Sequence, residues 1–139
     1  MIWTLVIIII GIFLIRFLID LNKDNDDLQG RTLDDKFLVI VNMINENAFN
    51  GNGAVIFLHK RRFNLYEEGK HQIIWFDYST GHLTITWKFK YFQKEVVHER
   101  QFNDVRNLSI FDQQKIAKRM IDEMEIIVER HKNKVFLNI

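Results

Sequence analysis

Residues 82–91 read HLTITWKFKY, and their alternation decides what kind of domain this chain builds. Leu83, Ile85, Trp87, Phe89 and Tyr91 fall on one side of an extended segment, and Thr84, Thr86, Lys88 and Lys90 on the other. Side chains alternate across a pleated strand, so the pattern predicts a half-buried β-strand with an apolar and a polar face. Upstream lies a second run, residues 72–78, joined to the first through Ser79-Thr80-Gly81. That sequence fits a type I turn followed by Gly81 in the left-handed position of a bulge. Downstream, Phe92-Gln93 makes a short connection into residues 94–102. Residues 54–58 and 62–66 supply one long bent strand or two short ones, which lead into the turn Glu67-Glu68-Gly69-Lys70. An antiparallel meander of four or five strands accounts for all of these.

Helical periodicity flanks the strands. Thr32-Leu33-Asp34-Asp35 resembles a capping box with Asp35 in place of the usual Glu, and it predicts a helix over residues 33–48. Phe37, Val41, Ile44 and Ala48 form its core-facing stripe, widened by Leu38 and Ile40. Asn50-Gly51-Asn52-Gly53 ends it, since Asn and Gly tolerate the left-handed backbone that closes helices. Ser109 begins a last helix that runs to about residue 131, with Ile116, Met120, Met124 and Ile127 inward. The order helix, meander, helix predicts an α+β domain over residues 32–139, with two helices on one face of an antiparallel sheet.

Ahead of this domain stands IWTLVIIIIGIFLIRFLI at residues 2–19, interrupted by the single charge of Arg16. At 1.5 Å per residue it spans about 27 Å, close to the thickness of a bilayer's hydrocarbon core. It has neither the basic leading region nor the small residues of a signal-peptide cleavage site, so residues 1–19 read as an uncleaved, single-pass transmembrane anchor. Residues 20–31 then form an acidic linker containing Asp20, Asp24, Asp26 and Asp27. Arg16, Lys23, Arg31 and Lys36 all follow or end the apolar run, which by the positive-inside rule favours a cytoplasmic domain.

Composition narrows the chemistry. With 139 residues there is room for one modest core, and the absence of cysteine removes disulfides and thiol chemistry. The five histidines show no metal-ligand spacing. Glu95 and Glu99 share a strand face but lie about 13 Å apart, too far to flank one bond. Neither a nucleophile elbow nor a phosphate-binding loop is present. The expectation is a protein that is not an enzyme and takes neither cofactor nor metal.

Two surfaces stand out as binding candidates. The strands are rich in aromatic residues, and Ile73-Ile74-Trp75-Phe76 is apolar on both faces, whereas two helices cover only one. Trp75, Trp87, Phe89 and Tyr91 are therefore candidates for contact with a protein partner. Lys60, Arg61, Arg62, Lys88 and Lys90 form a second candidate set, for anionic lipid or, with less support, nucleic acid. The sequence thus points to a membrane-anchored interaction module or accessory subunit, with peripheral anion binding as the alternative.

Overall fold

The computed structural model describes residues 1–28 and 31–137, with side chains described throughout except over residues 20–27. Residues 29–30, at the end of the expected linker, lie outside the described residues, as do 138–139. The order is α1 (Ile2–Asp27), α2 (Leu33–Lys36), α3 (Leu38–Phe49), then β1 (Ala54–His59), β2 (Arg62–Tyr66), β3 (Gln72–Ser79), β4 (His82–Tyr91), β5 (Lys94–Phe102) and α4 (Ile110–Leu137). The protein is α+β, with a five-stranded antiparallel meander in the order β1-β2-β3-β4-β5.

Helix α1 contains an 18-residue stretch, Ile2–Ile19, long and apolar enough to cross a membrane, none of it buried against the rest of the protein. The helix does not stop with the apolar run but continues to Asp27. Leu28, immediately after it, joins the core of the domain.

The single helix expected over residues 33–48 is two helices. Phe37 interrupts it with φ −112° and ψ 33°, and in doing so turns its ring onto Tyr78, with centroids 5.6 Å apart in an edge-on arrangement. The apolar periodicity runs through the break because Leu33, Phe37, Ile40, Val41 and Ile44 are all buried. Asn50 and Gly51 close α3 in the left-handed region, as the Asn-Gly run predicts. Gly53 then admits the first strand: its N–H donates to Asn45 Oδ1 at 2.8 Å. A Cβ there would come within 2.6 Å of that oxygen and 2.7 Å of the Phe49 ring.

The β3–β4 turn also differs from expectation. Ser79 pairs with His82, and both Thr80 and Gly81 have positive φ, at 50° and 75°. This is the signature of a two-residue type I′ hairpin, whose twist matches that of the strands, and it replaces the expected bulged type I turn. The β4–β5 connection repeats the pattern without glycine, with Phe92 at φ 49° and Gln93 at φ 65° between the paired Tyr91 and Lys94.

The helices pack on β2, β4 and β5. They bury the sheet face carrying Phe63, Leu65, Ile74, Phe76, Tyr78, Leu83, Ile85 and Trp87. Helix α4 runs six residues past the expected end and faces the core with Ala117, Met120 and Met124. Ile116 is only partly buried beside them. Lys36, a residue that an amphipathic helix would normally send to solvent, is 5% exposed. It donates to the Arg106 carbonyl at 2.6 Å and lies 5.6 Å from the Phe37 and Tyr78 ring centres.

Candidate functional site

Among the described residues no helix covers the second face of the sheet, and the strand register defines its contents. One row across all five strands reads Ile56, Asn64, Trp75, Thr86, Glu99. The next reads Ala54, Tyr66, Ile73, Lys88, Val97, and on the other side lie Arg62, Asp77, Thr84 and Gln101. Apolar side chains thus occupy a face open to solvent: Ile56 is 48% and Val97 49% exposed, while Tyr66, Ile73 and Trp75 are half-buried.

Trp75 is the centre of this face. The Arg62 guanidinium carbon lies 4.4 Å from its ring centre and the Lys88 ammonium 5.7 Å, distances at which the ring's negative face attracts a cation. The Trp75 indole N–H and the Asn64 Oδ1 are both buried without a hydrogen-bond partner. The charges on the face are nearly balanced. Arg62 Nε lies 3.2 Å from Asp77 Oδ1, Lys90 stands opposite Glu95 in the register, and Glu99 accepts a hydrogen bond from Thr86 Oγ1 at 3.0 Å. Burial pushes the Asp77 carboxyl above its ordinary value, against the downward pull of Arg62 and His59.

Of the four aromatic candidates, only Trp75 lies on this open face. Trp87 sits on the opposite side at 2% exposure. Its indole N–H donates to Gln72 Oε1 at 2.9 Å, and Gln72 in turn donates to the Ala48 carbonyl at the end of α3 at 2.8 Å. Trp87 is therefore a core residue that ties β4 to β3 and α3. Phe89 and Tyr91 share its side of the strand, where Lys132 of α4 approaches both rings at 5.5 Å. Alternation correctly grouped these three residues but could not indicate that the helices pack on their side.

The basic candidates also divide. Lys60 and Arg61 form the β1–β2 turn, whose Arg61 carbonyl accepts from the Tyr78 N–H at 2.9 Å. Arg62, Lys88 and Lys90 lie on the open face. A second charged cluster, absent from the sequence reading, links β5 to α4: His98 Nε2 lies 2.7 Å from Glu123 Oε2, and Arg100 donates to Glu123 Oε1. Burial raises the Glu123 pKa, but hydrogen bonds from Arg100 and His98 outweigh it and hold the carboxyl below its ordinary value. Glu123 follows His98 by 25 residues and Arg100 by 23, so no local motif announces the cluster. Glu123 borders a groove between β5 and α4 lined also by Phe102, Leu108, Ile116 and Lys118.

No protein family, curated protein or solved structure matches the chain.

Proposed function

We propose that the chain is a membrane-anchored protein-interaction module, serving as an adaptor or accessory subunit of a membrane complex. In this reading Ile2–Ile19 spans the bilayer, the continuation of α1 lifts the domain from the surface, and the face around Trp75 receives a protein partner. The basic residues that follow the apolar run favour a cytoplasmic position for the domain.

The observation that carries the reading is the uncovered sheet face with apolar side chains at its centre. Solvated faces of antiparallel sheets are ordinarily polar, and contiguous exposed apolar area marks interaction sites. Tryptophan and arginine, which meet here, are both among the residues enriched at the energetic centres of protein interfaces. The pairing of Arg62 with Asp77 and the placement of Lys90 opposite Glu95 leave little net positive charge for anionic lipid or nucleic acid, which favours a protein partner over that alternative.

Co-purification tests it. Tagged full-length protein, extracted from native membranes in mild detergent, should retain a near-stoichiometric companion detectable by mass spectrometry, and Trp75→Ala should lose it. A chain that purifies alone, or a companion indifferent to Trp75→Ala, overturns the proposed role of this face.

A further inference from the structure

We propose that two copies of this chain pair through the outer edges of their β1 strands, antiparallel and centred on Ile56, to form one continuous ten-stranded sheet. This inference concerns the edge of the sheet and stands independently of what binds the Trp75 face.

The two edges of the meander are built differently. Strand β5 carries Lys94, Glu95, Glu99 and Gln101 in exposed positions, and its His98 and Arg100 are held by Glu123 of α4. Charged side chains and a covering helix are the devices by which proteins keep an edge from pairing. Strand β1 has neither, and its one irregularity, a register shift between Phe57 and His59, falls at its C-terminal end and leaves Ala54 to Phe57 regular. From Ala54 to Leu58 it reads AVIFL, without charge or proline. Ile56, Phe57 and Leu58 are exposed by 48%, 42% and 52%, and successive residues point to opposite faces, so both sides of the strand are apolar. Among the described residues no strand pairs with its outer edge.

A second copy suits this edge better than another strand does. Antiparallel pairing about Ile56 sets Ile56 against Ile56 and Val55 against Phe57, and brings Ala54 alongside Leu58 at the register shift, so that the contacts within AVIFL are all apolar. Just beyond, His59 meets Gly53 and Lys60 meets Asn52, and like charges never oppose each other. The operation is a two-fold axis perpendicular to the sheet, which closes the assembly at two copies. Joining β1 to the β5 of another copy would propagate a filament, and the charges of β5 oppose it. The same axis keeps both Trp75 faces on one side. With strands about 4.8 Å apart, the two Trp75 positions stand about 24 Å from each other on one row of the sheet. The dimer would therefore offer the open face twice, in a fixed spacing.

The contact is small, six residues a side against the 20–30 or so of a standard interface. It therefore depends on confinement of the chains to one membrane, which raises their effective concentration. The full chain in native membranes is the material to test. Because it has no cysteine, single substitutions report cleanly. Ile56→Cys, treated with a short thiol cross-linker, should give a band of twice the chain mass at least tenfold more strongly than Lys94→Cys, an exposed site on the β5 edge that faces away from Trp75. Adding Leu58→Lys should reduce that band at least fivefold, with unchanged circular dichroism. Equal cross-linking of Ile56→Cys and Lys94→Cys, or a product with a protein of another mass, would overturn the pairing. Neither result bears on retention of a companion by Trp75, which the co-purification decides separately.

Discussion

Replacing each of the two domain tryptophans by phenylalanine separates the structural one from the one available for recognition. Trp87→Phe keeps most of the ring but removes the N–H that Gln72 Oε1 accepts at 2.9 Å. Trp87 is 2% exposed and Gln72 is half-buried, so water reaches the indole side of the lost bond poorly. Leaving this half-buried acceptor unsatisfied costs about 1–3 kcal/mol, and the volume lost from a packed site adds about 1 kcal/mol. The sum is about 2–4 kcal/mol. For a domain of this size each kcal/mol moves the melting temperature by about 4–8 °C, so Trp87→Phe should lower it by about 10 °C or more. Trp75→Phe removes an N–H that has no partner and retains an aromatic face beneath Arg62 and Lys88. Its cost should stay within about 0.5 kcal/mol. Thermal melts of the full chain in mild detergent, followed by near-ultraviolet circular dichroism, measure both. Equal shifts, or a larger one for Trp75→Phe, would refute the assignment of the two faces.

Three further outcomes follow from the local geometry. Gly53→Ala places a methyl group against Asn45 and Phe49 and should cost about 1–3 kcal/mol in urea unfolding. Replacing Phe92-Gln93 by Asn-Gly relieves two non-glycine residues at positive φ and should raise stability by about 1–2 kcal/mol, read as a higher melting temperature. Glu123, whose carboxyl is held below its ordinary value, contributes stability above the unfolded-state pKa that is lost as pH falls through the folded one. Glu123→Gln should therefore flatten the acid limb of the melting-temperature profile while lowering its plateau. An unchanged acid limb would mean the β5–α4 cluster does not set it.

The meander was legible because strands β3 and β4 obey a period of two over many residues, with turn residues at each end. The bounds of β2, β4 and β5 agree with the sequence reading, and β1 and β3 run one residue longer. What the pattern could not convey was which face the helices would cover, since that depends on contacts between segments far apart in the chain. Trp87 and Trp75 look alike in sequence, and only the docking of α3 and α4 makes one a core residue. The break at Phe37 was hidden for a related reason, because burial on both sides of it keeps the apolar period intact. Lys36 entered the sequence reading only as one of the basic residues after the apolar run, yet the loop carbonyl of Arg106 and two rings accommodate it inside the domain. The Glu123 cluster joins residues from a strand and a distant helix, a proximity that no spacing rule records.

The most direct test of the account is the reactivity of one open-face position in native membranes. Val97→Cys, on the uncovered face, and Lys118→Cys, on the exposed side of α4, are labelled with a soluble maleimide in membranes and again after purification in a harsher detergent that strips any companion. The account predicts that Val97→Cys is protected in membranes and reacts freely once purified, while Lys118→Cys reacts equally in both. Equal labelling of Val97→Cys before and after purification would contradict it, because an interaction face occupied by a partner must be shielded where that partner is present.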